Sequence, residues 1–208
     1  FFLENCGAYL AAIRSIGRTE EYFYMPVFES AAMIPPQTRR EALTEVRAQL
    51  DTVSGSILNI RVGGNDLSHA FGLRRPANRT IYDLRPVADI LIDIVAAFGT
   101  QYVVSGPVWE YYSGEGWEEG LRREMELDLL NGFTGKTVIH PNQIPVVNEM
   151  LRVSQRDYAD ARAILNWDTG SGSLVSASED GGRMNEYNTH SRWARRIVLR
   201  AERYGVRA

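Results

Sequence analysis

Apolar positions along this chain follow two spacings, one typical of strands and one typical of amphipathic helices. Short apolar runs predict strands, whereas apolar residues three and four positions apart predict helices with one buried face. The runs predict strands at 22–28, 56–62, 101–105, 136–139 and 173–178. The helical spacing predicts helices at 3–16, 39–50, 83–98, 117–130, 142–167 and 189–204, and a break near Ser154 divides the fifth.

Proline, glycine and threonine mark where some of these helices begin and end. Pro35 and Pro36 interrupt the chain before the second helix, and Thr38 is predicted to cap that helix. Gly99 follows the last apolar residue of the third helix and is predicted to be its C-cap. Residue types at the ends of these helices therefore agree with the boundaries that the apolar spacing predicts.

Four strand–helix units in succession predict a parallel sheet covered by helices. Two architectures fit this α/β pattern: the C-terminal portion of a (β/α)₈ TIM barrel, and an open doubly wound parallel sheet. A Gly- and Ser-rich stretch at 168–173 separates a final unit. We therefore expect a partial barrel at 1–167, whose N-terminal strands lie upstream of Phe1, and a small C-terminal segment at 168–208.

Composition narrows the classes of partner. The chain has 208 residues, 44% of them hydrophobic and 24% charged, with a net charge of −3. This balance is that of a globular protein and provides no basic surface for nucleic acid or an anionic membrane. No apolar stretch is long enough to span a bilayer. With Cys6 as its one cysteine, the chain is expected to be cytoplasmic.

Polar residues follow each predicted strand, at the edge where parallel α/β proteins place their chemistry. Glu29 follows the first strand, and Asp66 follows the second strand after a Gly-Gly-Asn turn. Pro107 follows the third strand, and His140 follows the fourth. Neighbouring strands lie roughly 5 Å apart, so Glu29 and Asp66 could share one hard divalent cation.

Structural explanations for the same residues remain open. Glu29 could stabilise the start of a helix, the Gly-Gly-Asn-Asp sequence could be an ordinary turn, and His140 could be a structural histidine. Two nucleotide-binding motifs are excluded, because the P-loop glycine before Gly135 is missing and no G-x-G-x-x-G is present. The three histidines also lack the spacing of a zinc site.

The sequence Gly-Lys-Thr-Val-Ile-His-Pro-Asn-Gln-Ile at 135–144 resembles a signature of the citrate lyase beta-subunit-like family, within the HpcH/HpaI aldolase superfamily. The segment at 25–30 is similar to the strand that carries a metal-binding Glu in that family, and 63–67 to the turn that carries its metal-binding Asp. The resemblance implies a TIM barrel, Mg²⁺ or another divalent cation, and a homo-oligomer. It also implies that the C-terminal segment can contact a neighbouring subunit.

The chain also departs from this family. The family's substrate-binding Arg lies on earlier strands and has no counterpart here. Several relatives carry a catalytic Asp shortly after a Met of the C-terminal segment, and Glu186 is the candidate at that position. The aromatic stretch at 109–116 suggests a substrate other than the common acyl-CoA thioesters, while coenzyme A stays a candidate part of the substrate.

These observations predict an enzyme, a metal-dependent carbon–carbon lyase acting on a small 2-keto acid or acyl-CoA-like substrate through an enolate. Glu29 and Asp66 are the predicted metal ligands, and His140 and Glu186 are candidate catalytic groups. The predicted substrate contacts are Gly63, Gly64, Asn65 and Pro107. The alternatives are a non-catalytic barrel subunit or binding module, and another Mg²⁺-dependent barrel enzyme such as a phosphotransferase.

Overall fold

The computed structural model describes residues 21–167, 175–178 and 181–207, together with residues 8, 11, 12 and 15, which are helical. The rest of the predicted helix at 3–16, Cys6 and the predicted linker at 168–173 lie outside the described residues. The chain divides into two compact units, residues 1–144 and residues 145–208. Each unit is described separately below.

The first unit contains a four-stranded, all-parallel sheet whose spatial order follows the chain. The register pairs Phe28 with Val62, and Arg61 with Ser105. A doubly wound sheet reverses its strand order at a switch point, whereas successive barrel strands do not. This order therefore favours the barrel of the two predicted architectures. The strands are β1 (Val27–Phe28), β2 (Ile60–Val62), β3 (Val104–Gly106) and β4 (Gly135–Lys136).

Helices follow the strands, as expected for βα units. The α-helices are α1 (Pro36–Asp51), α2 (Gly64–Ala70), α3 (Arg85–Phe98), α4 (Trp117–Leu130), α5 (Gln143–Met150), α6 (Gln155–Leu165) and α7 (Tyr187–Tyr204). Short 3₁₀ helices lie at Ala31–Met33, Ser54–Ser56 and Ile81–Asp83. The predicted break near Ser154 is confirmed, because the Ser154 hydroxyl accepts the Asp157 N–H at 3.1 Å and caps α6.

The prediction that Thr38 caps the second helix is wrong. Helix α1 already begins at Pro36, because a proline has no N–H to leave unpaired and its fixed φ suits the first helical turn. Thr38 lies inside the helix, and its hydroxyl donates to the carbonyl oxygens of Ala32 and Pro35. The prediction for Gly99 is confirmed, since its N–H donates to the Val95 carbonyl at 2.7 Å and ends α3.

The core of the first unit lies between the sheet and helix α3. Residues of β2 and β3 pack there against the apolar face of α3, and the rings of Phe28 and Phe98 lie 5.0 Å apart. Burial of this face stabilises the unit in proportion to the apolar area removed from water. The buried side chains at this interface include Ile60, Val62, Val104, Leu91, Ile94 and Phe98.

The second unit is built on the packing of α6 against α7. Ala161 and Ile164 of α6 meet Ala194, Ile197 and Ala201 of α7 in a small apolar core. Two strand pairs accompany these helices: β5 (Val153–Ser154) with β8 (Val206–Arg207), and β6 (Val175–Ala177) with β7 (Met184–Glu186). The predicted boundary at 167/168 and the contact of 168–208 with a neighbouring subunit stay predictions.

A buried network of charged side chains joins several elements of the first unit. The Lys136 ammonium lies 2.8 Å from both Glu124 and Asp128, and Arg75 Nε lies 2.9 Å from the second Glu124 oxygen. These four side chains are at most 1% exposed. Tyr82 also donates its hydroxyl to Asp128 at 2.7 Å. Burial raises the pKa of the Asp128 carboxyl, an effect that the Lys136 charge opposes.

We predict that Lys136→Met destabilises the protein by about 3–5 kcal/mol, because it leaves buried carboxylates without their cation. Asp128 already has a raised pKa in the folded state, and loss of Lys136 raises it further. A raised folded-state pKa gives stability at low pH that is lost as pH rises. The loss should therefore be smaller at about pH 5 than at about pH 8.

Urea unfolding of both proteins at both pH values measures this difference. Arg85→Met is the control, because Arg85 also pairs with a carboxylate, with its Nε 2.9 Å from Asp89, but its side chain is 83% exposed. It should change stability little. A Lys136→Met protein as stable as wild type at the higher pH would contradict the prediction.

Candidate active site

Glu29 lies at the carboxyl end of β1, directly beside the turn that follows β2. The Gly63 N–H donates to the Phe28 carbonyl at 3.0 Å and closes the last step of the β1–β2 ladder. A Cβ on Gly63 would lie only 2.5 Å from Glu29 Cβ and would also collide with Glu29 Oε2. The missing side chain at Gly63 is therefore what allows the Glu29 carboxylate to lie over this turn.

Asp66 lies in the first turn of α2, three residues after Gly63. The positive end of the helix dipole favours a carboxylate there. Both Asp66 and Glu29 are exposed. Because β1 and β2 are paired parallel neighbours, the structure brings both predicted metal ligands to the same edge of the sheet.

Gly64 and Pro107 are in direct contact at the start of α2. A Cβ on Gly64 would lie 2.6 Å from Pro107 Cβ and 2.6 Å from Ile81 Cδ1. The absent side chain thus permits close packing of α2 against the residue that follows β3. The predicted substrate contacts of Gly63, Gly64 and Pro107 stay predictions, although the structure places all three near the expected edge.

His140 follows β4 and stacks on Tyr112, with ring centroids 4.3 Å apart and an interplanar angle of 10°. Its Nδ1 accepts the Asn142 N–H at 3.2 Å. In a neutral imidazole this leaves the proton on Nε2. His140 is thereby oriented to donate a hydrogen bond from Nε2, and its catalytic role stays a prediction.

Gln143 positions the loop that follows β3, a role that the sequence did not indicate. Its amide nitrogen donates to the carbonyl oxygens of Trp109 and Tyr111, each at 2.8 Å. Its amide oxygen accepts the Ile139 N–H at 2.9 Å, and the residue is fully buried. The signal was present, since Gln143 belongs to the 135–144 signature, but the signature alone does not show what the side chain binds.

Glu186 belongs to the second unit, where it precedes α7. Its N–H donates to His190 Nδ1 at 3.0 Å, within the junction between β7 and α7. The assignment of Glu186 as a catalytic group stays a prediction.

A pocket of about 560 Å³ opens beside α2, and its volume is within the range of small-molecule sites. Asn65 lines this pocket, next in sequence to Asp66. Within the described part of the chain, the Asn65 amide oxygen is buried without a hydrogen-bond partner. The other lining residues include His69, Leu73, Arg74, Glu110 and Ile139.

The donor set at the sheet edge fits a hard divalent cation. Among the described residues, no group of three or more His, Cys, Asp or Glu side chains is arranged to hold a metal. Mg²⁺, however, is commonly bound by one or two protein carboxylates and completes its coordination with water and substrate oxygens. Glu29, which lies over Gly63, and Asp66 are two carboxylates of the kind such a site uses, and their role as ligands stays a prediction.

Residues 1–206 match the family model of carbon–carbon bond lyases of the TIM-barrel fold. The chain belongs to this family, which confirms the predicted fold class and the predicted resemblance. In the described part of the chain, no helix is both long and apolar enough to cross a membrane.

Individual relatives agree with this assignment. The chain is 38% identical over 74 residues to the L-malyl-CoA/beta-methylmalyl-CoA lyase of Cereibacter sphaeroides. The matched region covers 35% of this chain and 22% of that protein. The CitE protein of Mycobacterium tuberculosis, in complex with magnesium, acetoacetate and coenzyme A, is similar with a TM-score of 0.57 and 24% identity. A citrate lyase of Burkholderia xenovorans LB400 is similar with a TM-score of 0.66 and 17% identity.

The two solved structures also show how much of a relative this chain represents. The match to CitE covers 86% of this chain and 61% of CitE, and the match to the citrate lyase covers 95% and 58%. The chain therefore spans about three-fifths of each solved structure. At these identities the comparison shows the fold of the matched region.

We predict that Gly63→Ala displaces the Glu29 carboxylate and weakens divalent-metal binding by about tenfold or more. The Gly63 backbone (φ −83°, ψ 69°) does not require glycine, so the effect would come from the collision with Glu29. Calorimetric titration with Mg²⁺ measures it. Gly55→Ala is the control, since a Cβ there meets nothing within 4 Å. Equal Mg²⁺ affinity in both variants would contradict the prediction.

Proposed function

We propose that this protein is a divalent-metal-dependent carbon–carbon lyase that uses Glu29 and Asp66 as metal ligands. The reaction is an aldol- or Claisen-type cleavage or condensation of a small 2-keto acid or acyl-CoA-like substrate. The observation that carries the proposal is the Glu29 carboxylate over Gly63, beside the helix start that bears Asp66. Membership of the carbon–carbon bond lyase family supports the reaction class.

The residues at the sheet edge have two proposed roles, to bind the metal and to orient the substrate. A Mg²⁺ ion held by Glu29 and Asp66 would supply the positive charge that stabilises an enolate oxygen. Asn65 lines the adjoining pocket, where its amide oxygen is buried. His140 can donate from Nε2, because Nδ1 is already engaged.

Cleavage also requires a base to remove the proton from the hydroxyl group that becomes a carbonyl. A neutral His140 protonated on Nε2 cannot accept this proton without first losing the Asn142 contact at Nδ1. The base is therefore left open between His140 in its other tautomer and a carboxylate such as Glu186.

The relatives guide the choice of substrate, cofactor and assembly. CitE was solved with magnesium and coenzyme A, and the matched relative from Cereibacter sphaeroides is named for two acyl-CoA substrates. We therefore propose Mg²⁺ as the cofactor and coenzyme A as a candidate part of the substrate. A cytoplasmic homo-oligomer is the proposed state.

We predict that Glu29→Gln abolishes Mg²⁺ binding and Mg²⁺-dependent turnover while the fold is retained. The amide has nearly the same shape as the carboxylate but lacks the charge that holds a hard cation. Calorimetry measures Mg²⁺ binding, and release of pyruvate, oxaloacetate or acetyl-CoA from a substrate panel measures turnover.

Two controls make this experiment decisive. Glu41→Gln, an exposed position on α1, should leave both measurements unchanged. Without metal, the unfolding curves of wild type and Glu29→Gln should nearly coincide. Normal Mg²⁺ affinity in Glu29→Gln would show that Glu29 is not a ligand. A wild type that binds no Mg²⁺ would favour the non-catalytic alternative.

A further inference from the structure

We propose that the pocket beside α2 binds an anionic group of the substrate, a carboxylate or a phosphate, through the guanidinium of Arg74. This inference rests on the proposed function for its substrate, since the pocket shares helix α2 with Asp66. The binding event itself does not depend on a metal. The substrate would then carry an anionic group that lies away from its reacting carbons.

The geometry of Arg74 is that of an oriented guanidinium with free donors. Its Nε donates to Glu110 Oε2 at 2.9 Å, whereas the Arg74 side chain as a whole is 78% exposed. Within the described part of the chain, the Glu110 contact involves Nε alone. The two terminal nitrogens are left for a ligand, and a guanidinium fork suits the two oxygens of a carboxylate or phosphate.

Glu110 can orient Arg74 because its own loop is held in place. The Glu110 side chain is only 14% exposed. On either side of it, Arg75 donates to the Val108 carbonyl, and Gln143 donates to the carbonyls of Trp109 and Tyr111. The loop is therefore ordered before a ligand arrives, which lowers the entropy lost on binding.

Asn65 also lines this pocket. In the described part of the chain its amide oxygen is buried without a hydrogen-bond partner, so this oxygen is not exposed to a ligand and the anion contact rests on Arg74.

Arg85 provides a close internal comparison. Its Nε lies 2.9 Å from Asp89, and its side chain is 83% exposed, so its pairing closely resembles that of Arg74. Arg85, however, lies at the start of α3 and pairs with a half-exposed carboxylate one helical turn away. The difference between the two arginines is the pocket, so a matched pair of substitutions isolates its contribution.

The test is calorimetric titration of the metal-free protein with inorganic phosphate and, separately, with malonate. Wild type should bind at least one of these anions saturably, and Arg74→Gln should weaken this binding by about tenfold or more. Arg74→Lys should retain part of the affinity, because it keeps the charge but not the fork. Arg85→Gln should bind as wild type does. The anion that binds more tightly identifies the ligand group as phosphate or carboxylate.

Saturable binding that is lost in Arg74→Gln and kept in Arg85→Gln supports the inference. Absence of saturable binding by wild type, or equal affinity in these two variants, overturns it. Mg²⁺ titration of Arg74→Gln separates this inference from the proposed function, because Arg74 is not a metal ligand and Mg²⁺ affinity should be unchanged. If wild type bound the anion through Arg74 but bound no Mg²⁺, the proposed function would fail and the anion site would stand.

Discussion

The buried pairing of Glu124 and Asp128 with Lys136 and Arg75 is the constraint on which the carboxyl edge of the sheet depends. A buried carboxylate is tolerated only with its cation and hydrogen bonds in place, so the elements that carry these groups cannot shift independently. The network joins α4 to β4 and to the chain that follows α2. Gly106 of β3 makes room for it, because a Cβ there would lie 2.5 Å from Asp128 Oδ2.

The loop after β3 is held in place by Arg75 of this network and by Gln143 of the 135–144 signature. Arg75 is fixed by Glu124, and the same guanidinium lies 5.1 Å from the centre of the Trp109 ring. The Tyr111 hydroxyl donates to the Arg75 carbonyl at 2.9 Å. The Gln143 amide donates to the carbonyls of Trp109 and Tyr111 in the same loop. A loop held in this way can present side chains to a substrate with little rearrangement, as pre-organised sites require.

Sequence patterns located the edge of the sheet but not its details. Glu29 and Asp66 are predicted as ligands because each follows an apolar run, and parallel strands share one carboxyl edge. Helix α2 was not predicted, because its Gly-Asn-Asp start is also a good turn sequence and its seven residues are too few for a clear period. The burial of Glu124 was equally invisible, because a charged residue on an amphipathic helix is normally solvated. Only tertiary contacts show which cation neutralises it.

The adjacent arginines 74 and 75 show how stability and recognition are coupled at this edge. Arg75 is 1% exposed and bound to Glu124, while Arg74 is 78% exposed and lies at the pocket. Sequence alone cannot distinguish them, because both are simply arginines after a glycine turn. Neighbouring residues in non-helical chain point to different sides, so anchoring Arg75 in the interior directs Arg74 outward. A substitution at Arg74 therefore alters the pocket without removing an interior contact, whereas a substitution at Arg75 removes the cation that pairs with buried Glu124.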